Sequence, residues 1–342
     1  MLLRLLALKI CLLLINSSFS QGCCSGGGSN PIAGGAATGV LQKNQFEISA
    51  NHQFMSSNKF YSQNRDTTAL FDNLNSNYLF LRVDYGLSDR LTLSVASGYF
   101  LNKSLIELEQ EDTTFSKGFS DVIILPRYDV FNKTNGNVKS ELTLGLGIKI
   151  PIGSHADSTL IFSHPIVGDI YSTNPPTVQT TNGSIDLMLY SFFIRTYIKQ
   201  KLRIFANALY VKRGYNSLGQ KFGDYTSIGI FVSKTFFRKI GITGQLRGEL
   251  IGEMKAAKNI DLLGNYNIEQ ESTGSRKLFL VPQLSYIHKS FVFFTTSEIP
   301  IYQYVRGTQV GSQLQITTGV NYRFLAKKTN QLKENCDTEK LK

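Results

Sequence analysis

Histidine is scarce in this chain. Its 342 residues hold four: His52, His155, His164 and His288. No HExxH, no GxSxG and no zinc-type cysteine spacing is present. His155, Asp157 and Ser158 are suitable types for chemistry in a loop, but such a cluster among polar residues reads as solvated, so no catalytic residue is assigned. Cysteine is rare as well, with Cys11, Cys23, Cys24 and Cys336 only. Beyond the first twenty residues no window reaches the roughly 18 consecutive apolar residues of a membrane-spanning helix. The net charge is +11 (36 − 25). No basic block is interleaved with aromatics, so nucleic acid is not an expected partner. What the chain does have is aromatic side chains, 23 Phe and 16 Tyr.

The first twenty residues set the compartment. Arg4 and Lys9 flank and precede an apolar run that ends at Ile15, and Ser18-Phe19-Ser20 gives a small-x-small cleavage site. This is a signal peptide, too short to span a bilayer. Its removal takes Cys11 away and leaves a charge of +9 (11 − 2). A second reading makes Cys23 an acylated lipoprotein cysteine, which Gln21 fits poorly. An exported, aromatic-rich chain without a membrane helix is either a soluble all-β domain or a transmembrane β-barrel.

Period-two alternation marks the strands, and the lengths of the links between them favour the barrel. Leu79, Leu81, Val83 and Tyr85 share one face, and Tyr78, Phe80, Arg82 and Asp84 the other. Leu142, Leu144, Leu146, Ile148 and Ile150 oppose Glu141, Thr143, Gly145, Gly147 and Lys149. Twelve such strands are expected, at about 45–55, 77–86, 90–101, 118–130, 138–151, 185–198, 201–212, 224–236, 239–254, 277–288, 291–300 and 312–324. Strands 224–236 and 291–300 have ambiguous facing. Short links (87–89, 131–137, 199–200, 237–238, 289–290) alternate with long ones (56–76, 102–117, 152–184, 213–223, 255–276, 301–311). That is the pattern of an antiparallel outer-membrane barrel, all-β, with tight periplasmic turns and long outer loops. Lipid offers no hydrogen bonds, so a sheet within it must close on itself. The last strand alternates Ile316, Thr318, Val320, Tyr322, Phe324. It resembles the final-strand signal read by the outer-membrane assembly machinery, although a charged tail, 325–342, follows it. Membrane lipid and that machinery are the expected partners, beside a small-molecule solute; no cofactor is expected.

The alternation places eleven charged residues inside the barrel: Arg82, Asp84, Asp121, Arg127, Asp129, Glu141, Lys149, Arg195, Arg203, Arg247 and Glu249. Facing lipid, an Arg or Lys near the midplane costs about 2–4 kcal/mol. Inside, they either brace the wall as ion pairs or line a path for solute. Tyr85, Tyr99, Phe100, Tyr128, Tyr197, Tyr210, Phe236, Phe237 and Tyr322 fall near strand ends, as interfacial belts require.

Residues 117–153 carry a resemblance. Gly118-Phe119-Ser120-Asp121-Val122, then Pro126-Arg127-Tyr128, then Gly145-Leu146-Gly147-Ile148-Lys149-Ile150-Pro151-Ile152-Gly153 resemble a hairpin of the family labelled after the MetA pathway of phenol degradation. That family comprises barrels distantly similar to transporters of the FadL type. The resemblance implies a barrel and suggests transport of an apolar or aromatic solute, without naming the cargo. In FadL-type transporters the N-terminal segment plugs the lumen.

The segment 21–44 follows the signal peptide and is rich in glycine. Its small residues, Gly26 to Gly39, suit a thread packed in a narrow lumen, or else a disordered start. Adjacent Cα atoms lie about 3.8 Å apart, closer than an unstrained disulfide allows. Cys23 and Cys24 therefore read as a metal or redox pair, or as separate partners for other thiols.

Overall fold

The computed structural model describes residues 39–108, 113–165 and 168–326. The signal peptide, Cys23, Cys24, Cys336 and the tail from residue 327 lie outside the described residues. Twelve long strands form the wall: β1 (Gln45–Ser57), β2 (Asn73–Ser88), β3 (Leu91–Ile106), β4 (Thr113–Asn135), β5 (Val138–Pro151), β6 (Asp186–Tyr197), β7 (Leu202–Lys212), β8 (Tyr225–Phe236), β9 (Ile240–Ile251), β10 (Ser275–His288), β11 (Phe291–Val310) and β12 (Gln315–Leu325). Each pairs antiparallel with its neighbours in sequence. The ring closes where β1 pairs with β12, from Gln45↔Leu325 to Met55↔Gln315. No edge is left in the ring, so every strand has a ladder on both sides.

All twelve expected strands are present, and their ends move by a few residues. The larger correction concerns two outer links. The segments 102–117 and 301–311 are mostly strand: β3 and β4 pair as far as Ile106↔Thr113, and β11 runs on to Val310. The links there shrink to 107–112 and 311–314. Polar residues such as Asn102, Lys103 and Ser104 end the alternation, but the backbone ladder does not need apolar side chains to continue above the membrane.

The facing follows the alternation. Leu81 is 52% exposed while Arg82 is 4% exposed, and Leu146 at 57% alternates with buried Gly147. Outward positions are thus apolar and open to hydrocarbon, and inward positions fill the barrel. At the turn end an outward aromatic row crosses four strands. Tyr85 stacks on Phe46 (4.5 Å), Phe46 on Phe324 (5.4 Å), Phe324 on Tyr322 (5.1 Å) and Tyr322 on Phe291 (4.6 Å). This row matches an interfacial girdle. Phe100 does not belong to a belt: it is buried in the interior cluster, because its position on β3 has the inward parity of Ala96 and Gly98.

Candidate functional site within the barrel

The interior has three tiers. The first, at the turn end, is an alternating chain of charges. Arg323 pairs with one Glu47 oxygen, and the other takes Arg82 Nη2 at 3.3 Å. Arg82 Nε reaches Asp84 at 2.9 Å, and Asp84 takes Arg127 Nη2 at 3.1 Å. The four charges from Glu47 to Arg127 are buried. A buried ion pair holds only when each charge is matched, and here each inner charge has a partner of opposite sign. Arg127 Nη1 then donates to the carbonyl of Gly39 at 3.0 Å. Leu41 is buried and its N–H donates to Thr92 Oγ1 at 2.7 Å. A Cβ at Gly39 would lie 3.8 Å from the Phe192 ring. Residues 39–41, just ahead of β1, therefore lie inside the barrel and not on its outer surface.

The second tier is apolar. Tyr78, Phe80, Ala96, Phe100, Ile123, Leu125, Met188, Tyr190, Phe192, Ile194, Phe205, Leu209, Val211, Tyr225 and Ile251 form one buried cluster. They come from β2 to β4 and β6 to β9. Phe205 stacks on Phe231 at 4.3 Å. Along this tier the strands are apolar on both faces, so their inner face there is not marked by polarity. β1 differs: its inward Glu47, Ser49, Asn51 and Gln53 are all polar and buried.

The third tier lies under the outer loops. The link 152–185 carries an external hairpin, Ser158–His164 with Gly168–Thr173. It then turns inward, so that Val178, Gln179, Thr180 and Thr181 are buried. Two features of the hairpin 117–153 seat this segment. Ser120 and Asp121 are adjacent yet both buried, because β4 carries an extra residue against β3 between Phe119 and Val122. Such a bulge re-aims side chains. Gly153 is the second: a Cβ there would lie 1.8 Å from the Phe119 carbonyl oxygen and 2.5 Å from Thr180 Oγ1. The backbone beyond it then holds the segment, as Thr180 Oγ1 donates to the Ser154 carbonyl at 3.0 Å and the Thr181 N–H to the same oxygen at 3.1 Å. Lys149 bridges Asp121 (2.9 Å) and Asp186 (3.0 Å), and Thr181 bonds Asp121. Lys103 Nζ donates to the Gln179 carbonyl at 2.8 Å. Beneath the segment is a cavity of about 60 Å³, lined by Phe100, Lys103, Asp121, Lys149, Arg213 and Tyr225 among others.

Of the eleven charges expected inside, Arg82, Asp84, Asp121, Arg127, Asp129, Lys149, Arg247 and Glu249 are buried. Arg247 meets Glu298 through two bonds of 2.7 Å and lies over Phe279, and Glu249 accepts from Tyr225 at 3.1 Å. Glu141 sits nearer the turn end, partly exposed and paired with Lys139 at 2.9 Å. Arg203 is partly exposed and donates to the buried Ser233 at 3.4 Å. Arg195 is a correction. It is exposed, with the outward parity of Phe193, and its guanidinium lies 5.7 Å from the Tyr197 ring centre. A long cation near a strand end can leave the hydrocarbon by snorkelling, so the cost of facing lipid does not force it inward. Glu47, Lys103, Asp186, Arg213, Lys277 and Glu298 were missed. Lys103 and Arg213 fell in segments read as loops, Glu298 on a strand of ambiguous facing. The inward parity of Glu47 was already visible between Phe46 and Ile48. His155 Nε2 lies 2.8 Å from Ser217 Oγ and braces two loops. His52 and His288 stand in β1 and β10.

The fold is shared with solved outer-membrane barrels. An outer membrane channel from Pseudomonas putida F1 overlays with a TM-score of 0.64 at 10% identity, covering 85% of this chain and 99% of that one. The KdgM porin (TM-score 0.40, 11% identity, 81% of this chain and 99% of that one) and the beta domain of the Bordetella autotransporter BrkA (0.44, 11%, 83% and 100%) overlay more loosely. No family model and no curated protein matches the chain. The likeness of residues 117–153 to the phenol-degradation family therefore rests on those residues alone.

Proposed function

We propose that this chain is an outer-membrane channel for small solutes with an apolar or aromatic body. The observation that carries this reading is the apolar cluster of the second tier. A pore for hydrated solutes is lined by polar groups. This barrel also packs a tier of rings and aliphatic chains across its interior, which favours a solute that gains by leaving water. The fold shared with the Pseudomonas putida F1 channel is consistent with passage. Arg127 and Thr92 grip the chain at Gly39 and Leu41, and we take residues 21–44 to close the lumen from the turn side. On this reading both termini, with the tail 325–342, lie in the periplasm, and the barrel needs bilayer lipid and the assembly machinery as partners. No catalytic step is assigned to it.

The test is planar-bilayer conductance of the full mature chain beside one lacking residues 21–38, each shown to be folded by resistance to SDS. A low conductance that rises on removal is the expected result. Two folded but silent proteins would remove the channel reading. A second reading, a barrel whose outer loops bind a partner, draws on the external hairpin, where Leu160, Phe162, Ile170 and Tyr171 are all exposed. It becomes the leading one if neither protein conducts.

A further inference from the structure

Resting on that channel reading, we propose that the third tier is a binding site for a small organic anion, an apolar or aromatic body bearing one carboxylate, and that the inward segment 176–182 occupies this site until the anion displaces it. The cavity of about 60 Å³ has room for roughly two waters at liquid density. An organic solute can therefore fit only by taking the place of the segment above it.

What the segment touches shows what a replacement must offer. Its Gln179 carbonyl accepts from the Lys103 ammonium, and Lys103 is buried. A carboxylate in that position replaces a neutral acceptor by an ionised one and makes the contact an ion pair. The Arg213 guanidinium faces the same cavity and is buried, 6.0 Å from the Phe222 ring centre. The remaining charges there are Lys149 with Asp121 and Asp186, a triad of net −1. The rest of the lining is Phe100, Ile123, Met188, Val211, Phe222 and Tyr225, which suits a ring or a short aliphatic body. Cations and rings therefore converge on one space, and the segment that blocks it offers them only neutral groups: its Gln179 carbonyl to Lys103 and its hydroxyls to the Ser154 carbonyl and Asp121. The segment behaves as an internal competitor. Weakening its hold without changing any charge should strengthen binding of the anion. Thr180→Val does this, because it deletes the bond to the Ser154 carbonyl.

The experiment is calorimetric titration of the full mature chain in detergent micelles, with blank micelles subtracted. The probes are benzoate, benzyl alcohol and benzylammonium, which share a ring and differ in charge. Benzoate should bind roughly tenfold tighter than benzyl alcohol, the worth of one charged hydrogen bond, and benzylammonium weakest. Lys103→Met and Arg213→Gln should each shrink that preference, and Thr180→Val should tighten benzoate several-fold. Lys103→Gln serves if the methionine variant does not fold. Equal binding of all three probes overturns the anion site and leaves the channel reading standing, since conductance tests that separately. A preference that survives both cation variants overturns the assignment to this tier. Weaker binding in Thr180→Val overturns the competition.

Discussion

Strands β1 and β6 stand five places apart around a ring of twelve and face the same lumen. β1 turns Glu47, Ser49, Asn51 and Gln53 inward, and β6 turns Met188, Tyr190, Phe192 and Ile194 inward. Outward they are alike, with Phe54 on one and Leu187, Leu189 and Phe193 on the other exposed to hydrocarbon. The bilayer fixes the outer face of a barrel strand, and the inner face is free to serve the solute or the wall. The polar strand anchors the ion chain at the turn end. The apolar strand supplies the packed surface beside Gly39. A wall made only of β1-type strands would hold a column of water, and one made only of β6-type strands would be a solid core. This barrel is built of both.

The comparison breaks most severely at the charges. Asp84→Ala leaves Arg82 and Arg127 facing one another in a buried place, and we expect a loss of about 3–5 kcal/mol in urea-driven unfolding from micelles. A smaller effect is a swap of character between the two strands. Phe192→Asn empties ring volume and buries an amide among apolar neighbours, at a cost of about 3 kcal/mol. Asn51→Leu puts apolar bulk where polar groups meet, and should cost less, about 1 kcal/mol. If the two swaps cost the same, the two inner faces are not different environments. The smallest effect belongs to Arg195→Ala, outside the lumen. Removing an exposed cation beside Tyr197 should change stability by no more than about 1 kcal/mol and leave single-channel conductance as it was. A change in conductance would mean that Arg195 reaches the pore.

The same contrast explains what could be read from the chain beforehand. Strands such as β5 alternate apolar with polar, so their facing and the inward place of Lys149 were legible. β8 carries Ile228, Ile230 and Val232 outward but Tyr225 and Phe231 inward, and apolar residues on both faces erase the signal. That is why the apolar tier escaped notice while the charges did not. The inward turn of residues 174–184 was illegible for another reason. Its sequence is polar and loop-like, and its burial depends on Ser120, Gly153 and Lys103, which are far away in the chain. Arg195 misled because alternation gives the parity of a strand only when its apolar face is known, and β6 has two.

The central claim is that the apolar inner face selects the solute. The most direct measurement is the rate at which phenylalanine and glutamine enter proteoliposomes bearing the chain that lacks residues 21–38. Neither amino acid crosses bare lipid readily, and phenylalanine is the larger. The account predicts faster entry of phenylalanine and loss of that advantage in Phe192→Asn. Faster entry of glutamine would contradict it.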